Sequence, residues 1–244
     1  HKYVVDAFTR IGKLQFDDIY PILPNKEPYF YRNKLEFSFS NKKWLTTEEI
    51  KNDIEVPNKN ALGFHIPGLF DKILDINNCY LQLEPSNSIR LAIRDYAFKN
   101  ELTFFDIRNK GGFLRTVMIR TTSTKEVMVV LSMFDNLEDE MIKLCEFLIQ
   151  KFPQITCLQS VHNPKGNDTI QDLDIKTFHG ADVIVEEMEG LKFNISAKSF
   201  YQTNSEQAYE LYKITRDYAQ LKDTDVVYDL YTGTGTIANF VART

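Results

Sequence analysis

The chain has 244 residues, 43% hydrophobic and 13% aromatic, which is enough apolar surface for one or two buried cores. Its 34 acidic and 29 basic residues leave a net charge of −5. That argues against a non-specific nucleic-acid binder while leaving room for a local basic patch that grips RNA. No apolar run is long enough to span a bilayer and no secretory signal is visible; three unclustered cysteines, Cys79, Cys145 and Cys157, point to a reducing cytoplasm.

Taken in order, Lys2 to Gly12 carries Val4, Val5, Phe8 and Ile11 on one helical face, and Gly12 ends that helix. Pro21, Pro24 and Pro28 mark an irregular crossing, so residues 1–24 read as a helix that leaves the next domain. The run Tyr31-Arg-Asn-Lys-Leu-Glu-Phe-Ser-Phe-Ser40 alternates as a strand, with Leu35, Phe37 and Phe39 facing one way. Residues 41–60 form a polar, turn-rich insertion predicted to be exposed; residues 61–66 and 71–76 are two further strands. Ser86 or Asn87 is placed to cap a helix reaching about Lys99, with Ile89, Ala92, Ile93, Tyr96 and Ala97 as its buried stripe.

Residues 113–121 and 126–134 read as a hairpin. Asn136 is the expected cap of a helix reaching Lys151, with Met141, Leu144, Cys145 and Leu148 inward. Residues 155–162 form a strand holding Cys157; residues 163–172 form a polar loop; residues 183–187 and 191–195 form a second hairpin. Cys145 and Cys157 therefore read as packing residues. Cys79 stands in a polar turn, where by itself it is a partly buried thiol. Residues 25–195 make one α/β (α+β) domain.

The last stretch has a different grammar. Ser199-Phe-Tyr-Gln-Thr-Asn204 is followed by a helix and then Val226-Val-Tyr-Asp-Leu-Tyr-Thr-Gly-Thr-Gly-Thr236. Residues 225–230 read as a short buried strand, Gly233 and Gly235 as a sharp turn, and Ile237 to Val241 as a helix start. A strand, a Gly-x-Gly turn and a helix N-terminus suit a nucleotide-like cofactor. Gly233-x-Gly235-x-x-Ala238 also satisfies the dinucleotide fingerprint, which keeps an NAD reading open.

The pair of elements Ser199-Phe-Tyr-Gln-Thr-Asn204 and Asp229-Leu-Tyr-Thr-Gly-Thr-Gly-Thr236, at this spacing, resembles the RNA uracil-5-methyltransferases, and most of all the bacterial enzymes that methylate uracil in 23S ribosomal RNA. Tyr31-Arg-Asn-Lys34 and the segment Leu62-Gly-Phe-His leading to Cys79 look like further parts of that pattern. The resemblance implies that residues 196–244 are the truncated start of a Rossmann-like S-adenosylmethionine domain; the apolar stripe and the proline-marked crossing of residues 1–24 predict that they pack on it. It implies cofactor contacts from Gln202, Tyr231, Thr236, Asp229, Gly233 and Gly235. Thr232 replaces a cysteine common in that loop.

The resemblance further implies that Cys79 is the fourth ligand of a [4Fe-4S] cluster in the intact protein, whose other three thiolates are absent from the sequence given. The nucleophilic cysteine and the glutamate base are expected beyond Thr244, so no residue here is catalytic and the fragment is expected to be inactive. The expected partner is ribosomal RNA, with the protein a cytoplasmic monomer. Arg32 and Lys34 are the leading candidates for phosphate contacts, and Arg90, Arg94, Arg115 and Arg120 are others.

Simpler readings stand beside these. Gln202 satisfies local backbone groups, Asp229 caps the turn, and Tyr231 fills a core. A tRNA uracil methyltransferase is the nearest rival, a non-catalytic RNA-binding module the second, and an NAD-dependent oxidoreductase a distant third.

Overall fold

The computed structural model describes residues 1–52 and 58–242. The alternation predicted for the first strand builds β1 (Lys34–Ser40), with Leu35, Phe37 and Phe39 buried. It joins β2 (Ala61–Ile66), β3 (Leu69–Asp75), β4 (Leu114–Thr121), β5 (Val127–Met133), β6 (Cys157–His162) and β7 (Ile175–Gly180) in one seven-stranded sheet. The strand order is β3-β2-β1-β4-β5-β6-β7. Every neighbouring pair is antiparallel except β5 and β6, which run parallel.

That parallel pair needs a crossover, and α4 (Glu138–Lys151) supplies it. With α3 (Ser86–Lys99) it covers one face of the sheet, over Phe37, Val117, Ile119 and Val129. The opposite face carries the hairpin β8 (Val183–Met188) and β9 (Leu191–Ser196), then α5 (Ser205–Ala219) and α6 (Thr236–Val241). There Met118, Met128, Val130 and Val161 meet Ile184, Phe193, Tyr201, Tyr212 and Phe240. The central strands β4 and β5 are consequently buried on both sides, which explains the nearly continuous apolar sequence of β5, while β4 buries Arg115, Thr116 and Arg120 among its apolar residues. Among the described residues no helix is long and apolar enough to cross a membrane.

Several local expectations change. Residues 225–230 do not form a strand, and Val226, Val227, Tyr228 and Leu230 are exposed. A strand is stable only when paired, and no described strand lends this run an edge. The stripe at the start of the chain is also exposed at Val4, Phe8 and Ile11; α1 (Lys2–Asp6) passes there into a π-helical stretch, Ala7–Ile11. Ser86 does not cap α3, because its hydroxyl donates to Gln82 Oε1 at 2.6 Å; Glu84 accepts the Ser88 amide instead. Asn136 does not cap α4, whose N-cap position is Leu137, though the acidic first turn is as predicted.

Within residues 41–60 a short helix, α2 (Thr47–Lys51), forms on a reciprocal Thr46–Glu49 capping box. Residues 53–57 of that insertion lie outside the described residues. The strand β7 was not predicted: it is an exposed edge, so its sequence lacks an apolar face.

Candidate functional site

The two segments that carry the cofactor pattern meet in space. A Cβ on Gly233 would stand 3.9 Å from the Phe200 ring and equally far from the Phe200 carbonyl. Gly233 and Gly235 both have left-handed backbones, at φ 58° and 74°, and Gly235 is the N-cap of α6. That geometry favours glycine and leaves the backbone bare towards the loop.

Within the loop the predicted residues separate by role. Asp229 Oδ2 accepts from Thr232 Oγ1 at 2.8 Å and from the Ala238 amide at 3.2 Å, so its carboxylate holds the turn onto α6. Thr236 is buried, with its hydroxyl 2.8 Å from that of Thr234. Tyr231 is fully exposed at a left-handed φ of 63° and fills no core among the described residues. Gln202 is half-buried; only its backbone carbonyl is engaged, and its side-chain amide has no partner among the described residues. It lines a cavity of about 380 Å³ with Leu23 and the α5 residues Gln207, Ala208, Leu211 and Ile214.

What sequence reasoning missed is the clamp that holds residues 199–205. Asn33, the unassigned position of Tyr31-Arg-Asn-Lys34, donates from Nδ2 to the Gln202 carbonyl and to Ser205 Oγ, both at 2.8 Å. Its amide donates to the Thr203 carbonyl at 2.7 Å. Arg120 adds its two terminal nitrogens, each 3.3 Å from the Ser199 carbonyl. These contacts span up to 172 positions, and no local signal announces them.

The basic candidates also separate. Arg90, on α3, is wholly buried, donating to the carbonyls of Leu62 and Asn77 and stacked over Phe37. Arg115 is buried against Asp168 at 2.8 Å and two carbonyls. Arg94 is engaged by Asp75 at 3.1 Å. All three are engaged by protein partners in this structure. Arg32 and Lys34 are half-buried, and Lys34 stands directly opposite Arg120 across the β1–β4 ladder. Burial pushes the Lys34 ammonium below its usual range; Glu36 opposes that shift, and Arg120 and Arg32 add to it.

Cys79 is buried in the core beneath α3. Among the described residues no group of three or more Cys, His, Asp or Glu converges as a metal site, so the residues present do not fit a four-thiolate cluster. Burial pushes the thiols of Cys145 and Cys157 up to about 12, which leaves both inert as nucleophiles at neutral pH.

No family model matches the chain. It is 53% identical over 245 residues to an uncharacterized RNA methyltransferase of Bacteroides thetaiotaomicron, a match covering 99% of this chain and 54% of that protein. Similar proteins, also described as uncharacterized RNA methyltransferases, come from Porphyromonas gingivalis and Chlorobaculum tepidum. The first is 52% identical over 98% of this chain and 52% of its own length; the second is 36% identical over 100% and 51%. The chain thus spans about half the length of the curated relatives it matches. Its fold is similar to that of the Pyrococcus abyssi tRNA (uracil-54, C5)-methyltransferase, solved in complex with S-adenosyl-L-homocysteine. The TM-score is 0.65 at 22% identity, covering 89% of this chain and 48% of that one. The likeness to RNA methyltransferases read from the motifs is borne out.

Proposed function

We propose that this chain, homologous over nearly its whole length to RNA methyltransferases, is the RNA-facing domain and cofactor entrance of a uracil-C5 methyltransferase acting on 23S ribosomal RNA. The observation that carries the reading is the approach of Phe200 to Gly233, with Gln202 two residues along the same segment keeping a side-chain amide that has no partner among the described residues. An S-adenosylmethionine molecule, when bound, supplies the electrophilic methyl group. Gln202 orients its charged methionine end, Tyr231 packs near it, and Gly233, Gly235 and Thr236 shape the loop around it. Asp229 acts by holding that loop in place. On the RNA side, Arg32 and Lys34 contact phosphate.

Uracil C5 is a weak nucleophile until a thiolate adds to C6; C5 then takes the methyl group, and a base removes the C5 proton before the thiol leaves. Cys145 and Cys157 are too deeply buried to supply that thiolate. The reading assigns the nucleophile and the base to the part of the relatives' length that this chain does not match. It gives Cys79 a role in an iron–sulfur cluster only if three further thiolates come from there too. The protein is read as a cytoplasmic monomer.

A tRNA uracil is the second reading, favoured by the activity of the fold neighbour. The test is transfer of labelled methyl from S-adenosylmethionine by the full-length protein to 23S rRNA or to tRNA. Label is expected as 5-methyluridine in rRNA. Label in tRNA alone shifts the substrate, and label on another base or on neither RNA overturns the uracil-C5 reading.

A further inference from the structure

Beside the clamp lies a cavity of about 480 Å³ on the sheet face that carries the β8–β9 hairpin, lined by β1, β4, β5 and β6 and by residues 168–171, 197–201 and 203. Its volume falls in the range of ligand pockets. Three of its lining side chains, Arg120, Ser132 and Tyr201, are each only 3% exposed. Each also presents a buried polar atom without a hydrogen-bond partner: Arg120 Nε, Ser132 Oγ and Tyr201 Oη. Buried polar groups are normally satisfied, and one left over asks for an explanation. An arginine N–H only donates, and the two hydroxyls are free to donate, so the missing partner is rich in acceptors.

Charge points the same way. Arg120 has no carboxylate partner among the described residues, and burial alone pushes its guanidinium down to about 10. Lys34 is its directly opposed cross-strand neighbour, although like charges placed so are destabilising. The two carboxylates that line the cavity are already engaged: Asp168 by Arg115 at 2.8 Å, and Glu36 by Lys34 at 3.8 Å. Ser132 pairs with Thr116, four residues along β4 from Arg120. At about 3.3 Å per residue, that separates the two ends of the donor row by roughly 13 Å. One small anion does not reach across such a row, whereas a polyanionic strand does.

We propose that this cavity holds a stretch of the RNA strand, with a phosphodiester on Arg120 and Lys34 and further acceptors of the strand on Tyr201 and Ser132. This rests on the reading of the protein as one that acts on RNA, and it makes Arg120, which also grips the Ser199 carbonyl, common to the RNA site and the cofactor segment.

The test is fluorescence anisotropy of a labelled uridine-rich single-stranded RNA with the full-length protein, titrated across a range of salt. Arg120→Gln and Lys34→Gln are each expected to weaken binding about tenfold and to lower the slope of log K against log salt by about 0.7. Ser132→Ala is expected to weaken binding with the slope kept, while Lys143→Gln on the opposite face changes neither. Circular dichroism checks each fold; if Arg120→Gln does not fold, Lys34→Gln and Ser132→Ala carry the decision. Folded variants with wild-type affinity and slope overturn the site. Displacement of RNA by inorganic phosphate beyond what sodium chloride achieves at equal ionic strength reduces it to a small-anion site and overturns the strand. A wild-type protein that binds no RNA sinks the functional reading itself, and this site with it.

Discussion

Gln202 shows how a single side chain is freed for a ligand. Its backbone carbonyl is held by Asn33, which fixes where the residue sits, while its amide is left without a partner among the described residues. Had the amide capped a nearby backbone group, the simpler reading would have stood. Asp229 illustrates the reverse: its carboxylate is spent on Thr232 and on the α6 amide of Ala238. In the full-length protein, Gln202→Ala is expected to weaken S-adenosylmethionine binding roughly ten- to a hundredfold, the effect of losing a hydrogen bond of about 1.5–3 kcal/mol to a charged group. RNA affinity should hardly move. Calorimetric titration measures the first, and unchanged cofactor affinity would show that the amide faces some other ligand.

At the scale of elements, the Gly-Phe segment earlier tied to a family pattern has a packing reason of its own. Gly63 pairs with Asp75 where β2 and β3 approach closely, and a Cβ there would stand 1.9 Å from the Leu74 carbonyl oxygen. Backbone cannot swing aside as a flexible side chain does, so the β2–β3 ladder must part. Gly63→Ala is expected to destabilise the fold by about 1–3 kcal/mol, with a melting temperature several degrees lower. Thermal unfolding followed by circular dichroism measures it, and an unchanged midpoint would mean the two strands have room to separate. The neighbouring Phe64 packs against Phe37 with ring centroids 5.0 Å apart, so both halves of the motif serve the sheet.

Across the whole molecule, the sheet and the cofactor segment are joined by a polar seam. Asn33 ties β1 to Gln202 and Ser205; Ser205 donates to Glu186 on β8; Glu186 in turn accepts the Ser123 amide from the β4–β5 turn. Gln82 closes the other side by donating to the Asn33 carbonyl. Because all of these residues except the exposed Ser123 are buried or half-buried, a lost bond among them leaves partners unsatisfied. Asn33→Ala is therefore expected to speed amide exchange in the segment around residues 199–212 while peptides from β4 and β5 keep their protection. Hydrogen–deuterium exchange by mass spectrometry reads both regions at once. Equal protection in the variant and wild type would mean that α5 and the apolar contacts beneath it hold the segment without the seam.

The sequence by itself determined what depends on short-range period: the buried face of β1, the inward stripes of α3 and α4, both hairpins, and the pairing of a Phe-x-Gln-x-Asn element with a Gly-x-Gly turn. Apolar residues at two- or four-residue spacing declare a buried face whatever packs on it. Tertiary structure alone decided the matters that rest on distant partners. Residues 225–230 carry strand-like residues, yet they stay unpaired because pairing needs an edge the described chain does not offer. Arg90 and Arg115 look like surface cations in the sequence and became buried donors to main-chain carbonyls. Asn33 and Arg120 took hold of residues 79 to 172 positions away. Hydrogen-bond partners at such separations are set by how the layers stack, and no window of neighbouring residues encodes that.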